Sequence, residues 1–206
     1  MGDPFGTYVT DQRPLKNKKK VEGKKHMKND IKEILLSEEQ IQAKVKEMAA
    51  QLSEEYAGKD PVFVGVLKGV VIFFADMVRN IDIPCEIDFM SIASYSGTTS
   101  TGRTEIRKDL SVDIKGRHVV ILEDIFDTGT SLTFTVNHLL NKQPASLKVC
   151  TFLDKPDRRR PGVTLVPVYV GYTIPNEFVV GYGLDYNEHY RNLPFVGVLK
   201  PETYSK

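Results

Sequence analysis

The chain has 206 residues, enough for one domain with a sizeable core or one domain plus a small appendage. Its apolar share of 41% and charged share of 27% are those of an ordinary globular protein, and no apolar run approaches the roughly 18–20 residues that cross a bilayer. The formal net charge of +1 hides an asymmetry, because residues 1–30 carry eight Lys/Arg against four Asp/Glu and the remainder is slightly acidic.

The positive charge lies mainly in the stretch LKNKKKVEGKKHMK. A basic tail could contact nucleic acid. The plainer reading of residues 1–28 is a disordered extension or a cloning leader, since HMKNDI looks like a native start behind a junction. Residues 29–206 then form a single domain. Its first element is the amphipathic helix in SEEQIQAKVKEMAAQLSEEYAG, where Ser37 and Gln40 can make a capping box and Ile41, Val45, Met48, Leu52 and Tyr56 share one face. PVFVGVLKG is nearly all apolar and suits a strand covered on both faces, and VVIFFADMVRNI reads as a buried helix. A second strand is expected near CEIDFMSIASY.

The polar, glycine-bearing segment 94–116 is too long for a passive connection and is expected to be a mobile flap over a site. A third strand at HVVILE leads into the helix SLTFTVNHLLN, and a fourth, SLKVCTFL, ends at the polar break DKPDRRRPG. The late apolar pieces VYVGYTI, EFVVGYG and FVGVL are expected to form a small hood subdomain, mainly from about residues 156–206 with N-terminal contributions. Strand and helix alternate throughout, so the expected class is α/β: an open, mainly parallel twisted sheet flanked by helices. Cys85 and Cys150 lie in apolar segments and read as reduced thiols of a cytoplasmic protein, although a disulfide between them stays open. The four histidines are scattered and match no zinc spacing.

Open parallel sheets bind ligands at the carboxyl ends of their strands, and the string VVILEDIFDTGTSL falls at such an end. Thr128, Gly129, Thr130 and Ser131 sit where a helix begins, so backbone amides and hydroxyls there can cradle a phosphate. The string lacks the Lys-Ser/Thr ending of a Walker loop and the glycine spacing of a dinucleotide fold. Glu123 and Asp124 just upstream can accept from sugar hydroxyls or hold Mg²⁺ through water. A ribose with a 5-phosphate, vicinal hydroxyls and a metal-bound pyrophosphate would use all of these groups together.

This string resembles the phosphoribosyl-pyrophosphate signature of type I phosphoribosyltransferases. GVLKG (65–69), SY (94–95), LDKP (153–156) and EFVVGYGLDYNEHYRNLPFVGVLKP (177–201) narrow the resemblance to the bacterial hypoxanthine-guanine branch. It covers about residues 29–204 and implies that a 6-oxopurine displaces pyrophosphate to give IMP or GMP. It also implies roles. Asp127 is the general base at purine N7, Lys155 bonds the 6-oxo group, Phe178 stacks on the base, and the backbones of Val179 and Asp185 read its edge. Asp185 would act with Glu123, Asp124 and Mg²⁺. Leu67, Lys68, Gly69 and Arg191 would hold pyrophosphate, with a cis peptide between Leu67 and Lys68. Ser94 and Tyr95 would close over the sugar. Thr130 departs from the family, which often carries a basic or aliphatic residue there. The resemblance also implies a homodimer or homotetramer. A regulator that senses a phosphoribosyl ligand and binds nucleic acid is the alternative, and the acidic body makes a nucleic-acid partner the poorer expectation.

Overall fold

The protein is seen in a computed structural model that describes residues 27–94 and 104–205. The basic tail, Tyr95 and the middle of the expected flap lie outside the described residues. Ser37 starts the first long helix as its sequence demands. Its Oγ accepts from the Gln40 N–H at 3.3 Å, and Gln40 Oε1 accepts from the Ser37 N–H at 2.8 Å. Helix α1 (Glu38–Glu55) buries Ile41, Val45, Met48 and Leu52, with Tyr56 just past its end. Each such side chain contributes roughly 1.5–3 kcal/mol by leaving water.

The central sheet has six strands: β2 (Val62–Leu67), β3 (Glu86–Ser94), β4 (Thr104–Lys108), β5 (His118–Phe126), β6 (Ser146–Asp154) and β7 (Tyr169–Thr173). Their order is β4-β3-β2-β5-β6-β7, parallel everywhere except β3 with β4. Period-two alternation divides β5 between two cores. Val120 and Leu122 pack with Phe63, Phe152, α1 and α2 (Val71–Asn80), whereas Val119 and Ile121 pack with Met90 and with Leu132 and Leu139 of α3 (Thr130–Leu140). The expected class of mostly parallel α/β sheet is therefore the one observed. Phe73, Phe74 and Met77 of α2 are core, as expected of a buried helix, while Val71 is 44% exposed. No helix among the described residues is long and apolar enough to cross a membrane.

A second sheet, order β1-β9-β8, is antiparallel and joins β1 (Ile31–Leu36), β8 (Val179–Val180) and β9 (Val196–Leu199). Val180, Leu193, Phe195 and Leu199 form its core, and a last turn, α4 (Pro201–Tyr204), follows it. Two expectations are corrected here. VYVGYTI is not part of this hood: it is β7, parallel to β6 in the register Cys150↔Tyr169, because residues 155–168 return the chain to the edge of the main sheet. IKEILL was not expected as a strand. Register shifts between Ile31 and Glu33 and between Ile34 and Leu36 erase the alternation that would have marked it.

The described part of the expected flap, residues 104–116, is also more fixed than a free loop. Residues 104–108 return as β4, and Asp88 accepts from the N–H groups of Ser111 at 2.5 Å and Val112 at 3.0 Å, while Ile114 is fully buried. The acids Glu123 and Asp124 belong to β5 itself, which continues through them to Phe126. Cys150 is buried, Cys85 is half-buried, and both are free thiols.

Candidate active site

The carboxyl ends of β2, β5 and β6 meet the hood in a cleft of about 580 Å³. Gly69, Asp124, Asp127, Lys155, Phe178, Val179, Asp185 and Arg191 line it together. These eight come from four of the sequence stretches quoted above and are eight of the seventeen residues singled out there; Leu67, Lys68 and Thr128 to Ser131 do not line the cleft. Glu123 sits beside them on β5 without lining the cleft. The side chain of Ser94 and all of Tyr95 lie outside what is described.

Strand β5 brings two carboxyls side by side. Burial and the neighbouring Asp124 charge push Glu123 well above the usual carboxylate range, and its Oε2 is buried with no hydrogen-bond partner. Burial pushes Asp124 up to about 6, against the opposing pull of backbone N–H donors including Ile125 and of the Arg191 charge. Two such groups hold repulsion that a cation or a set of hydroxyl donors would relieve.

The turn after β5 carries Gly129 at φ +83°, a left-handed conformation that lets the chain enter α3 directly. Thr128 to Ser131 therefore stand at a helix N-terminus. None of them caps it through a side chain, and Asp127 does not cap it either, so the plain capping explanation of these residues fails. Asp127 instead accepts from Arg158 Nε at 3.1 Å. The Arg159 guanidinium lies 3.3 Å above the Phe126 ring centroid and bonds the carbonyls of Phe126, Asp127 and Lys155 and the Asp154 carboxylate. The Arg158–Arg160 run is thus a brace for the turn, with Arg160 N–H donating to the Thr128 carbonyl at 3.1 Å.

Lys155 is not the solvated loop lysine its neighbours suggest. It is only 7% exposed, and its ammonium donates to the Glu177 carbonyl at 2.6 Å. Burial lowers its pKa, with the Asp127 charge pulling the other way. Phe178 shows 38% of its surface, a high value for a phenylalanine, and Val179 beside it is buried.

Just before Gly69, which lines the cleft, the Leu67–Lys68 peptide is cis. The next residue must be glycine: a Cβ on Gly69 would collide with the Asp124 carboxylate. Arg191 donates to the Gly183 carbonyl at 2.8 Å and to Glu188 Oε2 at 3.3 Å and forms an ion pair with Asp185 Oδ1 at 2.9 Å, while its Nε is buried without a partner among the described residues. Glu188 also accepts from Lys68 Nζ at 3.2 Å, so one carboxylate links these two cationic residues. Sequence reasoning missed Arg158, Glu188 and Tyr204. The first two are charged residues of polar loops, where pairing depends on contacts 31 and 120 residues away in the chain.

Among the described residues no three acids, histidines or cysteines gather into a metal cage. The arrangement fits Mg²⁺ in a different way. Magnesium is commonly held by one or two carboxylates plus substrate phosphate oxygens, and Glu123, with its orphaned oxygen, Asp124 and Asp185 are the acids at hand.

Comparison with known proteins agrees with this geometry. The family model described as phosphoribosyl transferase domain matches residues 32–187. A hypoxanthine-guanine phosphoribosyltransferase of Streptococcus agalactiae serotype V is 52% identical over 181 residues, which cover 87% of this chain and 99% of that protein. The chain also matches the bifunctional protein TilS/HprT of Listeria innocua at 48% identity, spanning 28% of that longer protein. The crystal structure of a hypoxanthine phosphoribosyltransferase from Staphylococcus aureus superposes with a TM-score of 0.83 at 50% identity, covering 88% of this chain and 98% of that one.

Proposed function

The chain belongs to the phosphoribosyl transferase family, in its hypoxanthine-guanine branch, and from that premise we propose that it joins a 6-oxopurine to phosphoribosyl pyrophosphate. The products are IMP or GMP and pyrophosphate. The observation that carries this reading is the placement of Asp127 and the buried Lys155 in one cleft with Phe178, facing Arg191 across it.

The base lies against the exposed Phe178 ring, and its edge meets the backbone around Val179 and Asp185. Lys155 already donates to the Glu177 carbonyl, and its remaining N–H groups reach the purine 6-oxo oxygen. A donor at that position suits an oxygen acceptor and rejects the amino group of adenine. A purine nitrogen forms its bond to carbon 1 of the ribose as the bond from carbon 1 to pyrophosphate breaks. Asp127 takes the proton from N7, so that positive charge does not build on the base. Arg158, at 3.1 Å, orients that carboxylate before the base arrives.

Thr128 to Ser131 hold the 5-phosphate at the start of α3, with Thr130 giving a hydroxyl in place of a lysine charge. Glu123 and Asp124 accept from the ribose hydroxyls. Arg191 and the amides at Lys68 and Gly69 receive the pyrophosphate. Mg²⁺, held between Asp185, Glu123 or Asp124 and the pyrophosphate oxygens, would supply neutralisation of the leaving anion. Ser94 and Tyr95 would close over the sugar and keep water from the activated carbon.

A spectrophotometric assay with phosphoribosyl pyrophosphate and hypoxanthine, guanine, xanthine or adenine tests the reading. Turnover of hypoxanthine or guanine, refusal of adenine and loss of turnover without Mg²⁺ are expected. Binding of the sugar phosphate with no purine turned over would overturn it.

A further inference from the structure

Phe178 does not stand alone on the rim of the cleft. Its ring lies nearly parallel to that of Tyr204, with centroids 4.9 Å apart and planes 22° from each other, and Tyr186 meets it edge-on at 5.7 Å and 88°. Tyr204 itself lines the cleft. It is carried by α4, the last turn of the described chain, more than 20 residues beyond Phe178.

Tyr204 is fixed from the hood side. It packs on the hood core built from Val180, Leu193, Phe195 and Leu199. The chain leading to it is tied at each step: Leu199 N–H donates to the Phe178 carbonyl at 2.8 Å, Lys200 N–H to the Asp30 carbonyl at 2.9 Å, and Thr203 N–H to the Lys200 carbonyl at 3.0 Å. Tyr204 is therefore anchored to the fold and is not a side chain resting loosely in the cleft. A phenylalanine that is 38% exposed has freedom to turn about its side-chain bonds, and a flat base gains from stacking only when the ring plane is set in advance.

We propose that the terminal turn belongs to the purine subsite: Tyr204 is a positioning residue that backs one face of Phe178 and holds its ring in the plane in which the other face receives the base. This rests on the proposed transferase reading. Tyr204 acts through Phe178, so it controls affinity for the base and leaves the sugar phosphate and the chemical step largely alone. The aromatic ring carries the effect, because among the described residues the phenol hydrogen-bonds neither Phe178 nor Tyr186, which it meets only through rings.

The test compares wild type, Tyr204→Leu and Tyr204→Phe in steady-state kinetics with hypoxanthine, backed by calorimetric binding of IMP. Tyr204→Leu is expected to raise KM for the base about three- to tenfold, as loss of one aromatic pair implies, while KM for phosphoribosyl pyrophosphate stays within twofold and kcat falls less than KM rises. Affinity for IMP falls in step with the base. Tyr204→Phe is expected to recover most of the base affinity. Melting curves of both variants accompany the kinetics. A base KM unchanged in Tyr204→Leu, a lower base KM, or an equal rise in both substrate KM values would each overturn the proposal. An inactive wild type would sink the transferase reading itself, a result distinct from these.

Discussion

The Lys155 ammonium donates to the Glu177 carbonyl at 2.6 Å, which joins the end of β6 to the residue before Phe178. One bond thus ties the central sheet to the hood at the point where both line the cleft. The same ammonium is nearly buried, so a neutral side chain there loses a charge-assisted donor.

Lys155→Gln is therefore expected to lower kcat/KM for hypoxanthine by about 10- to 100-fold, as loss of a hydrogen bond to a charged group implies. The loss should be selective. Adenine, which presents an amino group to the same position, is expected to be turned over no more slowly than by wild type. Steady-state kinetics with each substrate varied checks this, and a rise in KM for phosphoribosyl pyrophosphate equal to that for hypoxanthine would show that Lys155 only supports the fold.

Gly69→Ala places a Cβ against the buried Asp124 carboxylate. Either the 67–69 loop or Asp124 must move, and both belong to the pyrophosphate and sugar side of the cleft. KM for phosphoribosyl pyrophosphate is expected to rise about tenfold or more, since small displacements of positioning groups are costly. KM for the base should change less. Initial-rate kinetics with each substrate varied separately distinguishes the two.

Glu123 gives a stability prediction. Burial and the Asp124 charge raise its carboxyl above its unfolded value, so the folded state is disfavoured progressively as pH climbs from the ordinary glutamate range toward the raised value. Glu123→Gln removes that penalty. The variant is expected to melt higher than wild type by about 2–4 °C for each 1 kcal/mol relieved. The difference should widen as pH rises above the ordinary glutamate range near 4.3. Activity should fall at the same time, because the ribose loses an acceptor. Calorimetry across pH checks the sign.

Asp88 behaves in the opposite way. Burial works to raise its pKa, but the N–H groups of Val112, Phe89 and Ser111 and the Lys108 ammonium outweigh it, and the net shift is downward. A lowered carboxyl stabilises the fold above its unfolded pKa, and that contribution is lost as pH falls through the folded one. Asp88→Asn is expected to cost about 2–3 kcal/mol at neutral pH, as unsatisfied buried donors do, and the difference from wild type should shrink as pH falls below the ordinary aspartate range near 3.9. Denaturant unfolding at pH 7 and pH 3 measures it.

Much of this molecule was legible in the sequence because the signals were local. The Ser37–Gln40 capping box, the two-sided apolar run of β2 and the strand-turn-helix at Asp127–Ser131 each depend on residues within one or two turns of each other. The family resemblance then assembled the distant pieces, Gly69, Lys155, Phe178 and Arg191, which do line one cleft. What stayed hidden depends on non-local pairing. β1 is a strand because β9 lies beside it, and its irregular register removes the alternation that would have announced it. Edge strand β7 reads like the hood strands that follow it, and only its pairing with β6 assigns it to the main sheet. Arg158 looked like one more exposed charge until the fold set it on Asp127.

The proposed reaction turns on Asp127 taking the purine proton. The most direct measurement is kcat of Asp127→Asn with hypoxanthine, read beside its calorimetric affinity for IMP. Asparagine keeps the shape and cannot accept the proton, so kcat is expected to fall about 10²- to 10⁴-fold while IMP affinity stays within a few-fold. A variant that binds IMP normally and turns over hypoxanthine at close to the wild-type rate would contradict it.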